Sequence, residues 1–153
     1  MEITQITDPA MIATILALDD PGLDANMFGT QKCSKVEWVQ HLLKMVQADN
    51  GNSFRIYGIV EEGRVLGYMS ALNCSDPPVY RCFVIEYQTF LGIEDINERK
   101  SLALQALNKI QDWARGNGCC QIAVCAKNET VARSYSIFAG FKRTEDITLM
   151  LEF

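Results

Sequence analysis

The sequence is poor in the residues that bind metals and nucleic acids. Its 153 residues include a single histidine, His41, and no C-x-x-C pair, so we expect no zinc or other metal site. Lysine and arginine number 14 against 19 aspartates and glutamates, which gives a net charge of -5. Nucleic-acid binders draw much of their affinity from clustered cations on phosphates, so this balance argues against a nucleic-acid partner.

The sequence also lacks the marks of membrane and secreted proteins. No apolar run reaches the roughly 18 to 20 residues that span a bilayer, so we expect no membrane partner. The opening, MEITQITDPAM, carries an acidic residue at position 2 and has neither a basic cluster nor a signal-like apolar core. We therefore expect a cytoplasmic protein.

Six cysteines need an explanation in such a chain. In a small secreted domain they would suggest a disulfide framework, but nothing in the sequence marks this chain for export. We interpret them as reduced thiols that act as small core residues rather than redox groups. They are Cys33, Cys74, Cys82, Cys119, Cys120 and Cys125.

What the sequence does contain is the composition of an ordinary globular domain. Apolar residues make up 48% and charged residues 22%, close to the average for soluble chains. A chain of 153 residues can bury a sizeable core without metal or disulfide staples, and no internal repeat or linker divides it. We therefore expect one domain that spans residues 1–153.

The first third of the chain predicts a short strand and two helices. MEITQIT alternates as a strand does, and Asp8 followed by Pro9 is a helix-start signal. Ser34, with Glu37 three residues later, forms a capping box before a second helix. His41 falls in that helix, where we interpret it as solvated or at the edge of the core rather than catalytic.

From Ser53 the hydrophobic period changes from helical to alternating. SFRIYGIV and RVLGYMSAL are joined by EEG, which predicts a β-hairpin with a short glycine-bearing turn. Residues 79–93 form an unusually long extended stretch, in which a bulge would be unsurprising. Residues 118–127 are small and β-branched, as in another strand.

Between these last two strands lies an amphipathic helix that ends at the sequence GNG. Strand, helix and strand within about 50 residues form a crossover unit, so strands 79–93 and 119–126 are expected to be parallel. A final helix, from Asn128 to Phe138, leads into one or two closing strands in GFKRTEDITLMLEF. The apolar stripe of the central helix comprises Leu102, Ala103, Ala106, Leu107, Ile110, Trp113 and Ala114.

The predicted order is βααβββαβαβ, which indicates an α/β (α+β) fold with a mixed, mostly antiparallel central sheet, a parallel βαβ unit and flanking helices. This order, together with NETVARSYSIFAGF (128–141), resembles the GCN5-related N-acetyltransferase (GNAT) family. Members often carry an asparagine, an alanine, a tyrosine and a Gly-Phe pair, here Asn128, Ala132, Tyr135 and Gly140-Phe141. The resemblance continues through LNKIQDWARGNGCCQIAV; it covers residues 53–153 well and the first 50 only by element order.

The resemblance implies an activity and its partners. It implies an N-acyltransferase that takes its acyl group from acyl-CoA, specifically acetyl-CoA, and gives it to an amine on a small molecule or a protein. Residues 19–33 would help to shape the acceptor site, and the protein would be a monomer or a homodimer. The alternative is a degenerate module that keeps the fold as a binding or structural unit and has lost acyl transfer.

The resemblance also implies a cofactor site. In the family, coenzyme A lies where the two parallel strands splay apart, and its pyrophosphate sits on the loop that enters the central helix. Free N–H groups and the helix dipole attract an anion there. The family pattern Arg/Gln-x-x-Gly-x-Gly/Ala falls on residues 98–103, where Glu98 and Ser101 depart from it. The implied cofactor-binding residues are Leu91, Ile93, Arg99, Lys100, Ser101, Leu102, Ala103 and Asn128.

Glu98 has two interpretations. It can cap the helix together with Asp95, in which case a carboxylate near the positive helix end contributes about 0.3 to 1 kcal/mol. It can instead stand where a diphosphate should lie and repel it. Arg99 and Lys100 could hold phosphates through their side chains, or they could be two solvated helix residues.

Two residues are candidates for the chemistry of acyl transfer, which needs a base for the amine and a proton donor for the departing thiolate. The resemblance implies Glu86 as the base and Tyr135 as the donor. If Phe83, Ile85 and Tyr87 pack on one face, Glu86 points to the other. The alternatives are an edge or surface glutamate and a tyrosine packed at the core boundary. A covalent mechanism at Cys125 is disfavoured because no histidine is near it in sequence.

Overall fold

The computed structural model describes residues 1–18, 33–76, 78–126, 128–145, 149 and 151, and within them the chain forms one five-stranded sheet with helices packed on it. The strand order is β1-β2-β3-β4-β5; the first four strands are antiparallel, and β5 is parallel to β4. The strands are β1 Thr4–Gln5, β2 Phe54–Glu61, β3 Arg64–Asn73, β4 Cys82–Thr89 and β5 Gln121–Val124. The helices are α1 Pro9–Ala13, a 3-10 turn Thr14–Ala17, α2 Lys35–Ala48, α3 Ile96–Gly116 and α4 Glu129–Ala139.

The predicted mixed sheet, its mostly antiparallel character and its parallel βαβ unit are confirmed. Two predictions concern segments that the structure describes only in part. The acceptor-shaping segment 19–33 lies outside the described residues except for Cys33. Of the expected closing strands, residues 141–145 form no strand, and the rest falls mainly on positions outside the described residues. No described helix combines the length and the apolar character needed to cross a bilayer.

The ends of the first two helices follow local sequence rules. The Asp8 side chain accepts a hydrogen bond from the Ala10 N–H at 2.9 Å, and Pro9 takes the first helical position. Ser34 and Glu37 form the predicted capping box: the Glu37 N–H donates to the serine hydroxyl, and the glutamate accepts from the Ser34 N–H at 2.7 Å. Local chemistry therefore fixes where α1 and α2 begin.

The predicted hairpin joins β2 and β3 through a two-residue turn. Glu62 and Gly63 both have positive φ, 48° and 74°, which matches the twist that antiparallel strands need. A second irregularity lies near the start of β3, where the pairing shifts so that Leu66 is the extra residue. There the main chain after β4 passes very close: a Cβ on Gly92 would lie 2.3 Å from the Leu66 carbonyl oxygen.

The sheet separates two hydrophobic clusters. Consecutive residues of β2 alternate between them, with Ile56 in one and Tyr57 in the other, so the clusters lie on opposite faces. One face, called the α3 face, contains the buried stripe of α3 and also Tyr135 of α4. The opposite face, called the α2 face, contains α1, α2 and Tyr68.

A β-bulge in β4 corrects the predicted alternation of that strand. Ser70 of β3 pairs with Tyr87, whereas Ala71 pairs with Ile85, so Glu86 is the extra residue. Phe83 and Ile85 belong to the cluster on the α3 face, but Tyr87 belongs to the cluster on the α2 face. The expectation that all three pack on one face is therefore wrong, because the bulge shifts the pleat by one residue.

The expected role of the cysteines as core residues is also wrong for most of them. All six are free thiols, as predicted, but only Cys119 is buried. The others are partly or fully exposed, because the strand ends and loops that carry them lie at the margin of the sheet. Those five are Cys33, Cys74, Cys82, Cys120 and Cys125.

Candidate functional site

The sheet opens between β4 and β5. The two strands pair from Cys82 with Gln121 to Ile85 with Val124, and the pairing stops there. β4 continues to Thr89, so within the described residues its last four positions have no strand on that side. The pairing ends one residue before the bulge at Glu86. An extended ligand can pair with a strand edge that has no neighbouring strand.

The segment from β4 to α3 is held tightly against β3. The Gly92 N–H donates to the Leu66 carbonyl at 2.9 Å, and the Ile93 N–H donates to the Phe90 carbonyl at 3.0 Å. Ile93 is buried in the cluster on the α3 face, whereas Leu91 is exposed. Of these two predicted cofactor residues, only Leu91 presents its side chain to solvent.

Helix α3 begins with a capped first turn that faces the segment just described. The Asp95 carboxylate accepts from the Glu98 N–H at 2.9 Å, and the Asp95 carbonyl accepts from the Arg99 N–H. In the described structure this leaves the N–H groups of Ile96 and Asn97 unpaired, as expected at a helix start. Asp95 is therefore the cap, and the Glu98 carboxylate stays partly exposed in the first turn.

The two cationic side chains that follow, Arg99 and Lys100, both contact other parts of the protein. The Arg99 guanidinium donates from Nε to the Ile93 carbonyl, which fastens the entry segment to the helix. The Lys100 ammonium lies over the ring of Phe138 in α4, 4.4 Å from its centre. Lys100 is exposed and Arg99 half-buried, so both remain near the first turn of α3 without being free of other contacts.

The rest of the predicted loop separates into exposed and buried positions. Ser101 is exposed, and its hydroxyl accepts from the Gln105 side chain at 3.4 Å. Leu102 is buried in the core, and Ala103 packs against the same cluster. Asn128 caps α4 by accepting from the Val131 N–H at 3.0 Å. Leu102 and Ala103 thus contribute backbone and packing at this place, whereas Ser101 presents a polar side chain.

Tyr135 lies on the α3 face, inside the core. Its ring meets Phe141 edge-on with the ring centres 5.1 Å apart, and burial raises the pKa of its hydroxyl well above the ordinary value. It borders a cavity of about 940 Å³ beside β5 and α4, and it is the one predicted site residue among the described residues that line this cavity. The phenol therefore stays protonated at all physiological pH values.

Glu86 lies on the other face of the sheet and is paired. Its carboxylate oxygen Oε1 is 2.9 Å from Nε2 of His41 in α2, and its side chain is only 7% exposed, against 37% for the histidine. The hydrogen bond that the Glu86 carboxylate accepts from the ring raises the pKa of His41, although partial burial of the ring and nearby Lys44 oppose the effect. The interpretation of Glu86 as a surface glutamate is therefore wrong.

His41 lies at the edge of the core, as the sequence predicts, and it also contacts Glu86. Its imidazole lies beside Trp38, with ring centres 5.1 Å apart, and near Phe54 at 6.1 Å. Trp38 is itself fixed, because its Nε1–H donates to the Tyr68 hydroxyl at 2.8 Å. The ring is thus half solvated, as predicted, but it is also held in one orientation. A single histidine two turns into an amphipathic helix gives no local signal of a partner 45 residues away.

The predicted catalytic residues are not side by side. Glu86 contacts α2 on one face, and Tyr135 packs with α3 on the other. The pairing between β4 and β5 ends at Ile85, next to Glu86, so the carboxylate lies beside the end of that pairing.

Comparison with solved structures gives the same fold. No protein-family model matches the chain, and no curated protein matches its sequence. An aminoglycoside antibiotic 6'-N-acetyltransferase from Acinetobacter haemolyticus is similar at a TM-score of 0.69 and 13% identity, over 100% of this chain and 99% of that one. A predicted acetyltransferase from Clostridium acetobutylicum, solved with acetyl-CoA, reaches 0.69 at 14% identity, over 98% and 95% of the two chains.

A third structure widens the range of acceptors among the similar proteins. The ribosomal-protein-alanine N-acetyltransferase from Brucella melitensis biovar Abortus 2308 matches with a TM-score of 0.66 and 13% identity over 100% of both chains. At such identities the similarity establishes the fold and nothing finer. The chain therefore has the fold of the GCN5-related N-acetyltransferases, as its element order and residues 128–141 predict.

Proposed function

We propose that the protein is an N-acyltransferase that takes an acetyl group from acetyl-CoA and transfers it to an amine of a small molecule or a protein. The observation that carries this proposal is the opening between β4 and β5, which lies next to the capped start of α3. The edge of β4 beyond its pairing with β5 suits the extended, amide-bearing arm of coenzyme A. The N–H groups of Ile96 and Asn97, which have no partner in the part of the chain that the structure describes, lie at the positive end of α3 and suit its diphosphate.

The fit has one unfavourable element. Glu98 puts a negative charge in the same first turn, and Ser101 stands where the family has a glycine. Arg99 and Lys100 offset that charge and lie within one residue or two of it. Arg99 and Lys100 only balance the carboxylates of Asp95 and Glu98 in this turn, so the helix N–H groups must supply much of the attraction for a diphosphate, and we expect a moderate affinity.

The chemistry follows from the groups on the two faces. Acetyl-CoA supplies an activated thioester. The acceptor nitrogen forms the new C–N bond, the C–S bond breaks, and the amine gives up a proton to a base. The pair of Glu86 and His41 supplies that base, and the Tyr135 hydroxyl donates a hydrogen bond to the sulfur. Glu86 lies on β4 itself, His41 contacts its carboxylate from α2, and Tyr135 lies on α4, the helix that follows β5 in the chain.

The comparisons support the class of acceptor only coarsely. One similar protein is named for aminoglycosides and another for a ribosomal-protein alanine, so an amine is common to both. The net charge of -5 favours a cationic acceptor in a general way.

Six free thiols agree with a reducing compartment, and we propose the cytoplasm. We further propose that residues 1–153 form one domain.

Acetyl-CoA is expected to stabilise the protein against heat. A dissociation constant of about 100 μM corresponds to roughly 1.4 kcal/mol of stabilisation at 1 mM ligand, a clear rise in melting temperature. Release of free thiol should follow when a panel of aminoglycosides, polyamines and peptide N-termini is added. Acetate and adenosine serve as control ligands. No thermal shift at 1 mM would exclude the enzyme and leave the alternative, a module of this fold without acyl transfer.

Replacing Glu98 by glutamine is expected to strengthen acetyl-CoA binding about two- to fivefold. The change removes a negative charge from the phosphate site, and with it a repulsion of about 0.3 to 1 kcal/mol. Calorimetric titration measures the effect, which should shrink in high salt. Glu94→Gln is the matched control, since Glu94 is exposed and precedes the cap. If E98Q leaves the affinity unchanged and only lowers stability, Glu98 serves the helix alone.

A further inference from the structure

The contact between His41 and Glu86 is built like a device for moving a proton. A buried carboxylate holds one ring nitrogen, Nε2, at 2.9 Å, while the ring remains 37% exposed. Within the described residues the second nitrogen, Nδ1, has no hydrogen-bond partner. An imidazole held by a carboxylate through one nitrogen keeps the lone pair of its other nitrogen for a substrate proton.

The surroundings of the ring keep it in place without enclosing it. Trp38 and Phe54 flank the imidazole, and the indole of Trp38 is fixed by its hydrogen bond to Tyr68. A catalytic ring needs such support, because a base that samples many orientations loses most of its effect. The pair also stands where β4 leaves β5, since the carboxylate belongs to the bulge residue itself.

The pKa of the imidazole suits the role of proton acceptor. A base is most effective when its pKa lies near the working pH, and an ordinary imidazole titrates close to neutrality. The hydrogen bond with Glu86 raises the pKa of His41 from a value that is already close to neutral. The imidazolium that forms is then stabilised by the carboxylate beside it.

We propose that Nδ1 of His41 accepts the proton of the acceptor amine, and that Glu86 is a positioning residue that orients the ring and stabilises its charged form. This assignment rests on the proposed function. As the nitrogen attacks the acetyl carbonyl, the C–N bond forms, the C–S bond breaks, and the N–H electron pair stays on nitrogen. The proton goes to Nδ1, and the electron pair of the C–S bond leaves with the sulfur of coenzyme A.

The titratable groups near the His41 ring come from β4, from α2 and from the segment after β3. Glu86 faces the ring from β4, and Lys44 lies one turn along α2 on the solvent side. Cys74 follows β3, and burial raises the pKa of its thiol, with a further contribution from the nearby Glu86. Glu86 and Lys44 act in opposite directions on the ring, because a nearby anion favours the imidazolium and a nearby cation opposes it.

The test uses the fact that the chain has one histidine, so a single NMR signal reports its titration. The pKa from that titration is compared with the acid limb of kcat/KM for acetyl transfer, measured from pH 5 to 9. We expect the two values to coincide in the wild-type protein. Glu86→Gln should lower both, and Lys44→Met, the control on the exposed side of the same helix, should raise both.

His41→Gln is the direct variant, and the half-exposed position of the ring makes it tolerable for folding. We expect kcat to fall about 10²- to 10⁴-fold, with the acid limb lost and the thermal shift by acetyl-CoA unchanged. Added imidazole should partly restore the activity of His41→Ala, which a purely structural role would not permit.

The outcomes separate the two proposals. Transfer by the wild-type protein with unchanged kcat in His41→Gln would overturn the role of His41 and leave the proposed function standing. The role of His41 would also be overturned if Glu86→Gln and Lys44→Met shifted the pKa from the NMR titration but left the pKa of the acid limb of kcat/KM unchanged. Absence of acetyl transfer to every amine in the wild-type protein would overturn the proposed function, and the role of His41 with it.

Discussion

Replacing Tyr135 by phenylalanine is expected to slow acetyl transfer about 10²- to 10³-fold, the loss typical of removing one hydrogen bond to developing charge. The reacting sulfur becomes negative as the C–S bond breaks. A thiol has an ordinary pKa of about 8.5, below that of a phenol, and burial raises the pKa of Tyr135 further. Complete proton transfer to sulfur therefore runs uphill, and the hydroxyl acts chiefly by donating a hydrogen bond.

Phenylalanine keeps the edge-on contact with Phe141, so the affinity for acetyl-CoA and the melting temperature should change little. The measurement is kcat under saturating acetyl-CoA, beside a calorimetric titration of the same variant. Tyr80→Phe is the matched control, because it removes the same hydroxyl from a ring that is 64% exposed. Equal kcat in Y135F and the wild-type protein would exclude Tyr135 from the mechanism.

Replacing Gly92 by alanine is expected to destabilise the fold by about 1 to 3 kcal/mol and to weaken acetyl-CoA binding at least tenfold. The new Cβ would lie 2.3 Å from the Leu66 carbonyl oxygen and 2.8 Å from its Cα. These are backbone atoms, so no side-chain rotation relieves the contact. The main chain of residues 90–93 must then move, and the carbonyl of Ile93 that receives Arg99 moves with it.

Urea unfolding measures the first effect and calorimetric titration the second. Gly116→Ala is the control: a Cβ at Gly116, the last residue of α3, would meet no atom within 4 Å in the described part of the chain. Replacing a helical glycine that has no close neighbours by alanine should raise the free energy of unfolding by about 0.4 to 1 kcal/mol. If G92A binds acetyl-CoA as the wild-type protein does, the segment after β4 does not set the cofactor site.

Interactions between residues close in sequence made much of the fold of this protein predictable. Asp8, Ser34 and Asp95 cap their helices through side chains a few residues from the groups they bind, so the signal lies within a short window of sequence. The β2–β3 hairpin follows from alternation and from a turn that tolerates positive φ. The crossover from β4 through α3 to β5 follows from the order of elements alone.

The site was less predictable, because it depends on contacts between distant parts of the chain. His41 and Glu86 are 45 residues apart, and their meeting requires both the packing of α2 on the sheet and a bulge at one position of β4. The unusual length of the stretch 79–93 indicates that a bulge is possible in it, but apolar residues at 83, 85 and 87 continue past Glu86, so the pattern does not give the position of the bulge. The engagement of Arg99 with Ile93 and of Lys100 with Phe138 is similarly set by how the segments approach one another.

One extra residue in β4 ties together two properties that would otherwise be separate. The position of the bulge follows directly on the last residue paired with β5, and it directs its carboxylate towards α2. Substitution at Glu86 changes the carboxylate and leaves the bulge, whereas deletion of that position would remove the bulge and the carboxylate together and leave Tyr87 opposite Ser70. The irregularity of the strand and the placement of its charge are therefore gained or lost in a single step.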